Sequence, residues 1–301
     1  MRITLFSALA ALSPLAALAA PISARQANSS GPVGYASQNG GTTGGAGGSS
    51  TTVTTLEELA AAVKDDEAAI VYIEGTLEGS TDKIRVGSNK SILGKDSSSK
   101  LVGAGLFVKE AKNVIIQNLA ISKVSEDGGD AIAVQQSENI WIDHCDLSSD
   151  LDHGKDFYDG LVDFSHGADY VTVSNSMIHD HYKASLIGHS DSNADEDTGK
   201  LHITYANNHW KNINSRQPLL RFGTAHIINS YFEGGTVGDT AINTRMGKIS
   251  NQNSKPTDRR RTYLLTTLYR RPSPRREQRL RRHQGRSFLA VLRRRRFRGR
   301  A

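Results

Sequence analysis

The sequence predicts an all-β solenoid, a stack of parallel coils with a short capping helix at its N-terminal end, on three observations. From Ile70 onward, short β-branched runs separated by Gly, Asn, Asp and Ser replace any helical period. One ten-residue pattern recurs: Asn113–Ser122 can be laid over Asn139–Ser148 and over Tyr170–His179, and shorter copies follow at His202–Trp210 and His226–Phe232. The aligned positions Asn118, His144, Asn175, Asn207 and Asn229 are spaced by 26, 31, 32 and 22 residues, as coils with loops of unequal length would be.

The physics of stacking favours this reading. A single coil cannot bury its inward side chains, whereas stacked coils share one core and pair every inner strand on both sides. The four amides at the aligned position are expected to form a side-chain ladder along the stack. A β-sandwich with Asn at its turns is the competing reading. Ahead of the repeats, Thr55-Leu-Glu-Glu58 has capping-box spacing, and Leu56, Leu59, Ala60 and Val63 share a helical face, which predicts a helix at about 55–65 covering the open end of the stack.

The ends differ from the body. Arg2, the apolar run from Ile3 to Ala17 and the small residues Ala17–Ala20 read as a signal peptide at 1–20, which places the mature protein outside the cell. No other segment has the length of a membrane span. Residues 21–52, rich in Gly, Ser, Thr and Ala, read as a flexible entry, with 21–30 as the leader proper. Cys145 is the only cysteine, so no internal disulfide can form and stability must come from the core and the ladder.

The net charge of +6 conceals a division. Residues 248–301 hold 19 Lys and Arg against two acids, while residues 1–247 hold 18 against 29, a net −11. The body is therefore acidic, and whole-chain charge is no guide to its partner. The β pattern stops after Gly247, and 248–301 is read as an Arg-rich tail, disordered or out of frame, that leaves the last coil uncapped. Clustered arginines also suit a nucleic-acid arm, which a secreted protein gives little reason to expect.

Two constellations carry chemistry. Asp127 and Asp130 precede one repeat and Asp159 and Asp163 the next, so adjacent coils would bring carboxylates together; this is either a divalent-cation site or an acidic solvated edge. Lys183, Arg216 and Arg221 fall near strands of the following repeats; they either bind a polyanion or pair with the acidic body. The histidines match no metal-ligand spacing and are expected to face solvent or to hydrogen-bond between coils.

Five strings complete the pattern: Gly34–Gly45 (GYASQNGGTTGG), Trp141–His144 (WIDH), Tyr158–Asp163 (YDGLVD), His179–Lys183 (HDHYK) and Arg216–Arg221 (RQPLLR). In this order they resemble the pectate lyases of polysaccharide lyase family 1, fungal ones especially, over about residues 31–247. The resemblance implies a right-handed, single-stranded parallel β-helix over 31–247. It further implies calcium-dependent eliminative cleavage of polygalacturonate by a secreted monomer, with neither a nucleic acid nor a membrane as partner. By the same resemblance Asp130, Asp159 and Asp163 fall on calcium-ligand positions, Arg216 on the catalytic base, and Lys183 and Arg221 on contacts to the substrate carboxylate. Asp159 stands where a glutamate is familiar, and Gly128 where some members have another aspartate. The rival implications are a pectin lyase acting on methyl-esterified polymer without calcium, and an inactive β-helix protein.

Overall fold

A computed structural model describes residues 31–80, 83–234, 242–256 and 266–267. The described strands form three parallel sheets of nine, eight and eight strands. Apart from the first two strands of the nine-stranded sheet, which are consecutive in the chain, the neighbours of a strand are the third strand before it and the third after it, which is the connectivity of a coil with three strands per turn. Every strand pairing is parallel, and the coil has the right hand that parallel crossovers adopt.

Register explains the repeated pattern. Val114, Ile140, Val171, Ile203 and Ala225 lie one above another in the nine-stranded sheet, as do Ile116, Ile142, Val173, Tyr205 and Ile227. All ten are fully buried. Together with the inward residues of the other two sheets they form one contiguous core from Val53 to Ile242.

The strand ends at the aligned position. Asn118, His144, Asn175, Asn207 and Asn229 all take left-handed backbone angles, with φ between 49° and 59°. Asparagine tolerates that region better than most residues, which accounts for its recurrence. In each case the backbone N–H reaches the next coil, from Asn118 to the Asp143 carbonyl through to Asn229 and the Gln252 carbonyl. The expected amide ladder is shorter than four members: Asn229 donates to Asn207 (2.7 Å) and Asn207 to Asn175 (3.1 Å). Asn175 then donates to the buried Asp143 carboxylate (2.8 Å), because His144 occupies the aligned position of that coil.

The capping helix spans Leu56–Val63 and buries Leu56, Leu59 and Val63. Thr55 accepts from the Glu58 N–H (3.1 Å), while Glu58 reaches back to the Thr54 N–H (2.8 Å), one residue earlier than a standard capping box.

Two expectations are corrected. Residues 31–52, expected to be flexible, include a one-turn helix at Gly34–Ser37 and a strand at Ser49–Val53, and they strap the nine-stranded sheet. The strap donates to Thr204 from Tyr35, to Thr172 from Ala36, to Asn139 from Asn39, to Asn113 from Thr43 and Gly44, and to Ser91 from Gly45. Glycine is needed for this approach: a Cβ at Gly45 would lie 1.9 Å from the Ala69 carbonyl oxygen, and one at Gly48 1.8 Å from that of Ala68. Composition registered the glycines but not the surface they fit.

The β-helix also continues beyond Gly247. Lys248–Gln252 pairs with Thr224–Ile228, Lys255–Pro256 with Tyr231–Phe232, and Thr266–Thr267 with Asn243–Thr244. A parallel ladder is made by the backbone, so a polar strand in which only Ile249 packs against the core can still extend it. The signal peptide read at 1–20, the leader at 21–30 and the rest of the tail lie outside the described residues.

Histidines link coils, as expected of several of them: His202 pairs with Asp169, His209 with Glu233 and His166 with Glu196. His179 is held by Asp146 (2.9 Å) and Asp180 (2.6 Å); burial lowers its pKa, and the two carboxylates outweigh that and raise it above the usual value. Its stabilising contribution is therefore complete below about pH 6.5 and is lost as pH rises through its folded-state value. His179→Gln is expected to cost about 1 kcal/mol at pH 5 and less at pH 9, a gap that thermal melting of both proteins across this range will measure.

Candidate active site

Asp130 follows the turn Glu126–Gly128 and leads into the strand Ile132–Gln135. One coil on, Asp163 is the second residue of Val162–Ser165, in register with Ala133. Gly160 lies between the two carboxylates. Its N–H donates to Asp130 Oδ1 (2.8 Å), and a Cβ there would stand 2.5 Å from Asp130 Oδ1 and 2.8 Å from Asp163 Oδ1. Two acidic oxygens thus converge around a residue with no side chain.

Burial, and then the charge of Asp159, push the Asp130 carboxyl up to about 6. Burial and the neighbouring Asp130 push Asp163 well above the carboxylate range, although it accepts from the Leu186 N–H (2.8 Å). Two half-buried, mutually repelling carboxylates with too little compensating charge suit a bound cation. An all-oxygen donor set suits a hard one such as calcium.

Asp159 points elsewhere. It sits in the loop after Asp146–Ser148, and its Oδ1 lies 3.7 Å from Lys183 Nζ. Among the described residues, no three His, Cys, Asp or Glu side chains gather tightly enough to cage an ion. The three aspartates predicted to act together are therefore a convergent pair and a neighbour turned toward a lysine. Asp127 is exposed on its turn, and the Cβ position of Gly128 faces Val124.

The cations lie on the same side. Lys183 ends the strand Met177–Lys183 and is in register with Ser215, which ends His209–Ser215, so Arg216 follows directly in the next coil. Arg216 has φ 63°, and its Nη1 lies 3.9 Å from Asp163 Oδ2. Lys183, only 8% exposed, also pairs with Asp156 (3.1 Å), whose side chain is 76% exposed. Arg221 ends Leu219–Arg221 in register with Arg245; it donates to Asp191 (2.7 Å) and to the Gly188 carbonyl (2.9 Å). The structure thus sets Arg216 against Asp163 and Lys183 against Asp159, while Arg221 stands on a later strand and shares Asp191 with Arg245.

Sequence reasoning did not single out Gly160, Asp156, Asp191 or His181. His181 precedes Lys183 by two residues on one strand, hence on the same face, and that alternation was the available signal. Burial pushes its imidazole down to about 4, and it lies 2.7 Å from the Asp159 carbonyl oxygen.

A family sequence model described as pectate lyase matches residues 6–259. The chain belongs to the pectate lyase family. A probable pectate lyase A of Aspergillus niger is 58% identical over 214 residues, which cover 71% of this chain and 65% of that one. A probable pectate lyase A of Aspergillus fumigatus is 58% identical over 236 residues, covering 77% and 73%. The chain thus spans just under two thirds of the length of the Aspergillus niger relative. Among solved structures, a pectate lyase from Bacillus sp. N165 in complex with trigalacturonate superposes with a TM-score of 0.69 at 29% identity, covering 79% of this chain and 91% of that one. The family match begins within the N-terminal 30 residues and extends past Gly247, in keeping with the strands that continue the coil there.

Gly160 provides a direct test of the convergent pair. Gly160→Ala drives a methyl group into both carboxylates and is expected to lower stability by about 1–3 kcal/mol and to weaken calcium binding. Melting curves with and without calcium will show this as a lower melting temperature and a smaller rise on adding the ion.

Proposed function

We propose that the protein is a secreted, monomeric, calcium-dependent lyase that cleaves (1→4)-α-D-galacturonan and leaves a 4,5-unsaturated galacturonosyl end. The observation that carries this reading is the alternation of charge on adjacent coils: two half-buried carboxylates, Asp130 and Asp163, with Arg216 reaching toward Asp163 and Lys183 toward Asp159. A paired acid and base spanning a glycosidic bond, as a hydrolase requires, is not the pattern described.

In this reading Asp130, Asp159 and Asp163 would hold calcium, and the ion would supply positive charge that offsets the uronate carboxylate and makes the adjacent C5 hydrogen more acidic. Lys183 and Arg221 bind the uronate carboxylate, Lys183 as a compact charge and Arg221 as a planar fork. Each exchanges a protein carboxylate, Asp156 or Asp191, for the substrate's. Arg216, in the neutral guanidine form that neighbouring positive charge would favour, takes the C5 proton; the C5–H electrons form the C4–C5 double bond as the C4–O bond breaks, and the departing oxygen takes a proton from water. The buried core beneath the strand ends holds Arg216 and Lys183 in adjacent coils at fixed separation, which is the positioning the step needs.

Incubation with polygalacturonate and calcium is expected to produce an unsaturated, ultraviolet-absorbing product, to cease in excess chelator and to recover on adding calcium. Full activity in chelator overturns the calcium requirement and favours a pectin lyase; release of saturated ends only would establish a hydrolase. Arg216→Lys is expected to lose about 10²- to 10⁴-fold in kcat while retaining substrate binding, measured by single-turnover kinetics and calorimetry.

A further inference from the structure

We infer that His181 is a positioning residue for the calcium site, stapling the two feet of the loop that carries Asp159. The inference rests on the reading above that Asp159 binds calcium.

The loop leaves the stack after the strand Asp146–Ser148 and returns at Val162–Ser165. His181, on the adjacent strand Met177–Lys183 and only 1% exposed, lies against both feet. Its Nε2 is 2.7 Å from the Asp159 carbonyl oxygen and its Nδ1 is 2.5 Å from Ser149 Oγ. A carbonyl can only accept, so Nε2 carries the hydrogen and donates it, and Nδ1 accepts from the Ser149 hydroxyl. A single neutral imidazole therefore joins Ser149 and Asp159.

The loop between these feet is tied both to itself and to the stack. Asp150 accepts from Tyr158 and meets the His153 imidazole, which stacks on the exposed Phe157. Other links from this segment to the stack are the bridge between Ser125 and Tyr158, the Glu126 N–H donating to the Phe157 carbonyl, a Tyr182 hydroxyl contact at 3.4 Å, the Lys183 pairs with Asp156 (3.1 Å) and Asp159 (3.7 Å), the Lys123–Asp150 pair at 4.0 Å and the Ser149 hydroxyl 3.0 Å from the Asp180 carbonyl oxygen. The residue after Asp159 is Gly160, whose N–H holds Asp130. Movement of the Asp159 backbone thus displaces a predicted ligand and the donor to another at once. Partners that orient metal ligands typically change metal affinity by about 10- to 100-fold when removed.

Calorimetric calcium titration of the metal-stripped protein, alongside kcat at saturating calcium, tests the staple. His181→Asn loses the Nε2 donor and is expected to raise the calcium dissociation constant about 10- to 100-fold, with kcat at saturating calcium changed only a few-fold. His181→Gln presents an amide N–H near the position of Nε2 and is expected to restore affinity to within a few-fold of wild type. Ser149→Ala, which leaves the imidazole in place, is expected to weaken calcium binding severalfold and gives a reading even where His181→Asn does not fold. A merely structural histidine would lower the melting temperature in these variants without moving calcium affinity; that result, or a Gln variant as impaired as a folded Asn variant, overturns the inference. Asp159→Ala with unchanged affinity overturns the ligand reading itself and is distinguishable from failure of the staple alone.

Discussion

Register between coils is the constraint on which the rest of this structure depends. Because each strand hydrogen-bonds in parallel to the strand one coil below, a residue's height and facing direction are set once its partner is set. Asp163 stands over Ala133, and Ser215 over Lys183, so that Arg216 emerges one coil above Lys183. No disulfide pins these relations, since Cys145 is the sole cysteine and is buried. They are maintained by the columns of fully buried, mostly aliphatic side chains and by the left-handed residues that turn each coil at the same point.

The site exploits that rigidity by placing charges where an unstructured chain would not. Asp130 and Asp163 are held together half-buried, at a cost the fold must absorb. Each predicted substrate-binding cation meets a carboxylate from a loop: Asp156 for Lys183 and Asp191 for Arg221. The predominantly acidic body is thus arranged as local pairs around a small basic group, and neither its net charge nor that of the whole chain describes the surface a polyanion would meet.

How much of this was legible in the sequence follows from what is periodic. The inward columns and the left-handed position recur, so the solenoid and its core could be read from Asn113–Ser122 and its copies. The ladder was overestimated by one amide because Asp143, one residue before the aligned His144, intervenes as the acceptor for Asn175. The strap at Gly34–Gly48 depends on contacts with residues far along the chain, which composition does not encode, and its glycines read as flexibility. The strand at Lys248–Gln252 is polar and pairs through its backbone, so its side chains gave no sign of it. Lys183 and Arg216 sit at strand ends and inherit the register; Gly160 and Asp156 lie in loops, where spacing carries little information, and His181 shows only in its alternation with Lys183.

The strap changes how such a stack can come apart. A solenoid whose coils touch only their neighbours opens from its ends, one repeat at a time. Here a single segment crosses the coils and hydrogen-bonds in turn to Thr204, Thr172, Asn139, Asn113 and Ser91, which belong to five successive strands of one sheet. Local fraying within that span must either break this seam or carry the adjoining coils with it. The strap therefore joins the middle of the β-helix into a larger cooperative unit, so that backbone amides several coils apart should share one opening free energy rather than follow a gradient from the ends.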